Sequence, residues 1–255
     1  MRPATRRWAF LAAAAVVGGL LVWGMGGLPP AGVYNGPYGL VLNQVAVPER
    51  HATNVVAAVT FDYRGIDTMG EEFILFAAVV GVAILLRTMR GETEHEPEEE
   101  VRGRDVPGTS NAIRVAGLTM LGPIVLYGIY VVAHGHLTPG GGFQGGVVLA
   151  TGALLVYLSG EYVTLRRVRP VNAVDRVEAT GAGGYVLIGL FGLLAGGSFL
   201  YNALPLGTTG ELVSAGTILP INVAVGLKVA AGFVLLLSEF LEQTLVLGAS
   251  GRTGP

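Results

Sequence analysis

LVSAGTILPINVAVGLKVAAGFVLLLS, residues 212–238, is an apolar run broken by a single charge, Lys228. A helix crosses about 30 Å of hydrocarbon with roughly 20 apolar residues, and this run is long enough. At about 1.5 Å rise per residue, Lys228 stands roughly 12 Å along such a helix from Pro220 and roughly 16 Å from Glu239, so its stem does not fully reach either interface. An ionisable group at that depth is costly and is read first as functional. The neighbouring Gly226, Ala230, Ala231 and Gly232 are small enough for other helices to pack closely around it. Two readings stand side by side: a lysine that exchanges protons along a conduction path, or one paired with an acid for assembly alone. The paired acid is expected on a neighbouring subunit, because Glu161 ends its own span close to the cytoplasmic interface.

Working outward, the same length test finds uncharged runs at 8–28, 115–133, 137–160 and 179–210. A shorter run, 73–86, is flanked by Glu71, Glu72 and Arg87. It covers only about 21 Å, so its helix is predicted to begin near Ile66 or Asp67. The fold class is therefore an all-α integral membrane protein with six transmembrane helices. Composition agrees: of 255 residues 51% are hydrophobic and only 13% are charged, against about 25% charged in soluble domains. The absence of cysteine excludes disulfides, thiolate metal sites and cysteine nucleophiles. A net charge of −2 offers no basic field for nucleic acid.

The 16 basic residues comprise 15 Arg and the one Lys. With the N-terminus inside, 13 Arg fall on cytoplasmic segments and only Arg50 and Arg64 outside, the asymmetry that orients membrane proteins. The expectation is a multi-pass protein of the cell membrane with both termini cytoplasmic. The first run also fits a secretory signal, with basic residues, an apolar stretch and then small residues; cleavage there leaves five spans and moves nothing downstream to the other side. Residues 91–110, GETEHEPEEEVRGRDVPGTS, read as an acidic, solvated cytoplasmic linker, with docking or metal buffering as the alternative. The linker divides a two-helix unit, 1–90, from a four-helix unit, 111–245.

Several patterns compete for attention. Gly140, Gly142 and Gly145 spell GxGxxG, but a membrane helix precedes them where a dinucleotide fingerprint needs a strand. The expected role of Pro139, Gly140, Gly141 and Gly142 is a tight turn on the outer side. His134 and His136 at its mouth have no third ligand nearby for a metal; interfacial hydrogen bonding and proton access are the readings left. In FDYRGIDTMGEE, 61–72, a helix places Arg64, Asp67 and Glu71 along one face. That stripe is either a proton relay or a set of ion pairs fixing a subunit contact. TNVVAAVT, 53–60, is read as a short helix against or within the outer leaflet. Glu161, Glu239 and Glu242 close their spans where ordinary solvation accounts for them.

At these residues a family resemblance enters. GLTMLGPIVLYGIYVVAHGHLTPGGGFQGGVVLATGALLVYL and ILPINVAVGLKVAAG, within 111–240, resemble the B subunit (MrpB/MnhB) of the Mrp-type multisubunit sodium/proton antiporters. TNVVAAVTFDYRGIDTMGEEFILFAAVVGVAILL, within 50–90, resembles the tail of the A subunit and the small MbhE-type subunit of membrane-bound hydrogenases. The chain thus looks like two neighbouring subunits fused. The resemblance implies a non-catalytic membrane subunit of a Na+/H+ antiporter, without a cofactor, assembled with A, C, D, E, F and G subunits in lipid. It carries over Lys228, Arg64, Asp67, Glu71, His136, Pro139 and Gly140 to Gly142 as motif residues. A purely structural scaffold, and a subunit of a related hydrogenase or sulfane-reductase complex, are the competing functions.

Overall fold

The computed structural model describes residues 3–28, 36–91, 109–168 and 171–250. Among these the chain is helical apart from its connections: α1 (Pro3–Gly26), α2 (Pro37–Arg50), α3 (Val55–Ala58), a π-helical turn (Val59–Tyr63), α4 (Gly65–Gly91), α5 (Asn111–Ala133), α6 (Gly142–Val168), α7 (Val171–Gly196) and α8 (Ile218–Ser250). Among the described residues six helices are long and apolar enough to cross a membrane: Arg7–Gly26, Gly65–Leu86, Asn111–Ala133, Gly142–Gly160, Ala173–Gly196 and Ile218–Leu241. The short apolar run 73–86 does extend back, to Gly65.

The chain divides into two compact units, Met1–Val41 and Leu42–Pro255. In the first, α1 is apolar all round and its span has no buried residue. Trp8 and Trp23 are open on its surface, as befits a helix surrounded by lipid or by other chains. The linker expected at 91–110 lies almost wholly outside the described residues.

In the second unit α8 is the hub, touching α4, α5, α6 and α7, and its span is 61% buried. Glycines let the helices close on it. Gly142 and Gly146 of α6 face the α8 backbone, and a Cβ at Gly146 would sit 2.8 Å from that of Val229. Gly145, between them, faces Val132 and the Gly128 carbonyl of α5. The i, i+3, i+4 spacing of GGFQGG therefore serves helix approach on two sides at once. Within TPGGGFQGG, residues 138–146, only Gly140 and Gly141 carry the positive φ, +152° and +144°, of a special turn.

Two stretches depart from the sequence expectation. Run 179–210 is not one span: α7 starts at Val171 and stops at Gly196. Residues 197–217 form a loop pinned by a single antiparallel bridge, Leu206 to Ala215. Pro205 and the TTG turn give that stretch polar groups and bends that lipid does not tolerate. The second is α2, in a segment the sequence left without structure; Leu42 and Ala46 are its buried residues.

Three segments interlock at one end of this unit. Asn54 caps α3 by accepting from Val56 and Ala57 amides. Its Nδ2 donates to the carbonyls of Gly135 (2.7 Å) and Thr138 (3.0 Å). Asp62, in the π turn, accepts from Arg50 Nε and from Asn202 Nδ2, both at 2.7 Å. Asn202 Oδ1 in turn accepts from the Thr217 amide at 2.8 Å. The short helix read into 53–60 is thus α3 with the turn that follows it, and it is tied into the bundle's end.

Candidate functional site

Lys228 is 1% exposed, near the middle of the hub helix's span Ile218–Leu241. Its Nζ lies 3.1 Å from Glu72 Oε2 of α4, close enough for a strong ion pair although the approach is off the hydrogen-bonding direction. Glu72 is itself 6% exposed. The partner acid is therefore within this chain, which corrects the expectation that it sits on a neighbouring subunit. The α4 face explains why: Glu72, Val79 and Ala83 are buried at i, i+7 and i+11, so the acid belongs to the helix's core-facing stripe.

Gly181 of α7 brings the backbones together at this point. A Cβ there would meet Ala224 O and Lys228 N, each at 2.6 Å, so only glycine admits α8 so near. One turn earlier on α7, Glu178 is 4% exposed. Its Oε1 has no hydrogen-bond partner and lies against Gly232. On the other side, Tyr185 donates to the Gly65 carbonyl at 2.8 Å. A void of about 10 Å³ between Glu72, Gly181, Tyr185 and Lys228 is near the least volume that admits a single water.

Gly65 also lines an open cleft of about 640 Å³, with Arg50, Asp62, Tyr63, Tyr201 and Asn202. One residue thus separates water-accessible space at the interlocked end from Tyr185, which lines the void beside Lys228. In the cleft the Arg50 guanidinium stacks over the Tyr63 ring, 4.9 Å from its centroid. Burial, followed by the hydrogen bond Tyr63 donates to Glu49 Oε2, pushes that phenol up to about 12.

The other residues singled out from sequence lie elsewhere. Arg64 ends the π turn and pairs with Asp67, and both side chains are about half exposed. Glu71 shares their exposed face, turned away from Glu72. His136 is fully buried in the α5–α6 loop; burial holds its imidazole below the usual range, against the opposing pull of the Glu211 and Leu212 backbone. Pro139 is exposed in the same loop, while Gly142 is packed under Asn222. Asn222, six residues before Lys228, accepts from the Gly142 amide at 2.8 Å and so anchors α6 to α8. Glu239 is buried, 2% exposed, despite lying near the end of its span. The Glu161 and Glu242 side chains are outside the described set. Among the described residues no three His, Asp or Glu side chains gather as a metal site.

Sequence reasoning passed over Glu72, Glu178 and Asn222. The first two had a signal, since each stands at the last charge before an apolar run.

Six helices apolar enough to span a membrane, with a lysine–glutamate pair buried within the second unit, define a multi-pass membrane protein. A family model described as a domain related to the MnhB subunit of Na+/H+ antiporter matches residues 112–235. A second, MbhE, described as the E-type subunit of MBH, matches residues 38–100. The chain is 32% identical over 209 residues to an uncharacterized protein of Methanocaldococcus jannaschii, covering 75% of this chain and 78% of that one. It is 34% identical to the B-type subunit of the Na(+)/H(+) antiporter of Bacillus subtilis, over 36% of this chain and 67% of that one. The chain belongs to the MnhB family. Its fold is similar to a chain of the membrane-bound sulfane sulfur reductase, an archaeal respiratory membrane complex (TM-score 0.74, 30% identity, 93% of this chain and 98% of that one). It is also similar to a chain of the Mrp complex from Dietzia sp. DQ12-45-1b (TM-score 0.73, 27% identity, 94% of this chain and 26% of that one).

Proposed function

We propose that this chain is a transporter subunit, rather than an enzyme, of a multisubunit monovalent cation/proton antiporter, and that its Lys228–Glu72 pair lies on the proton side of the exchange. The observation that carries the reading is the pair itself, two ionisable groups closed off from water, the lysine on the most buried of the described spans. Such pairs are costly to bury and are weak devices for stability alone. Lysine is also the basic side chain that can shed its charge when desolvated. The cleft lined by Gly65 supplies water to within one residue of Tyr185, which favours access from the interlocked end. That end faces outside if the arginine asymmetry sets the orientation.

In this reading the partners are the other antiporter subunits. The exposed Arg64–Asp67–Glu71 stripe is the face that meets one of them, and residues 1–90 and 111–245 are the two fused subunit-like parts. Na+-dependent proton flux in vesicles carrying the whole assembly, with and without this subunit, tests the assignment; flux that persists unchanged without it removes the chain from the transport machinery.

A second reading rests on one observation. The sulfane sulfur reductase chain is matched over 98% of its own length, so both fused parts are present there in one chain. A place in a respiratory membrane complex of that kind follows if the chain co-purifies with sulfane sulfur reductase activity rather than with cation/proton exchange.

A further inference from the structure

The buried site holds unequal numbers of charges. Lys228 of α8 and Asp175, three residues before Glu178 on α7, are the charged groups that act on Glu178, and Glu72 of α4 is paired with that same lysine. α4 and α8 are the principal elements packed against α7. One ammonium thus serves two carboxyls buried to 6% and 4% exposure. Were all three ionised, the bundle would enclose an uncompensated negative charge, and an unpaired buried charge neutralises itself by binding or releasing a proton. Glu72 has Lys228 at 3.1 Å. Glu178 Oε1 has no hydrogen-bond partner and rests on Gly232, four residues after Lys228 on the same helix.

We propose that Glu178 is a proton-carrying carboxyl, and that Glu72, Lys228 and Glu178 form one site holding one exchangeable proton. This rests on the transport reading above and deepens it. With the proton on Glu178, Glu72 is the anion paired with Lys228. Lys228 hands a proton to Glu72 and takes up the one that Glu178 releases, so that Glu178 becomes the anion beside the restored ammonium and Glu72 is left neutral. Charge is conserved at every stage, and the net movement is one proton between α7 and α4 across the lysine.

The test uses the complete assembly in vesicles, with Glu178→Gln, Glu178→Asp and Lys228→Met. Two readouts are taken: coupled proton flux, and the infrared band of a protonated carboxyl followed through a pH change with and without Na+. The Gln variant imitates the neutral carboxyl. It is expected to assemble as wild type, lose the carboxyl band and lose flux to the level of the subunit-free assembly, while Asp restores part of both. Failure of the Gln variant to assemble overturns the proposal, because it means Glu178 was needed as an anion. Retention of the band in the Gln variant, or its displacement by Na+ at constant pH, also overturns it. The transport reading fails separately, if Lys228→Met keeps full flux.

Discussion

At the scale of single residues, the depth of Lys228 was legible from sequence because a charge inside an apolar run announces itself. Its partner was not, for a definable reason. Spans were delimited by their last charge, a rule that removes from a span whichever acid sits at its edge. Glu72 and Glu178 are both lost in this way, one residue before Phe73 and one before Ala179. Burial at 72, 79 and 83 shows that the helical face, not the charge-free run, was the better guide. Exchange of protons by Lys228 sets an expectation for Lys228→Arg. Arginine keeps its charge under nearly all conditions, so that variant should assemble yet lose coupled flux; near wild-type antiport by it reduces the lysine to a structural counter-ion.

His136 gives a pH expectation of definite sign. Its folded value is held below the usual 6.5 by burial, so the unfolded loop binds more protons between the two values and stability rises with pH there. Local stability is therefore full above about 6.5 and falls as pH drops below it. Hydrogen-exchange protection of the 134–141 amides, corrected for intrinsic rates, should decline from pH 7 to about 5. His136→Asn should flatten that decline, and an unchanged slope in the variant locates the titration elsewhere.

At the scale of elements, the six spans were legible because length and apolarity are set by the bilayer. The positions of α2 and the 197–217 loop were not. There the deciding forces are hydrogen bonds between segments far apart in sequence, such as Asp62 to Asn202 and Asn54 to Gly135. Asn54→Ala removes the α3 cap and both loop contacts. A cap alone is worth about 1 kcal/mol, so the expected result is faster amide exchange in both 55–58 and 134–138. Acceleration confined to 55–58 shows the two segments are not coupled. Gly181→Leu drives a side chain into the α8 backbone at Lys228 and should abolish assembly, measured by co-purification of the other subunits; assembly as wild type means α7 and α8 do not need that approach.

At the scale of the whole molecule, the orientation carries the direction of any proton route. Cysteines placed at Glu98 and Thr138 should react with impermeant reagent from opposite faces of the membrane, and reaction from the same face overturns the arrangement of spans. The central claim is that Lys228 and Glu72 act together in transport rather than in assembly. Removing one charge of a buried pair costs about 3–5 kcal/mol, whereas removing both with neutral groups is often tolerated. Glu72→Gln combined with Lys228→Met separates the two roles in one assay, Na+-dependent proton flux of the assembled complex in vesicles. A transport role requires wild-type assembly and loss of coupled flux; wild-type assembly with full flux contradicts it.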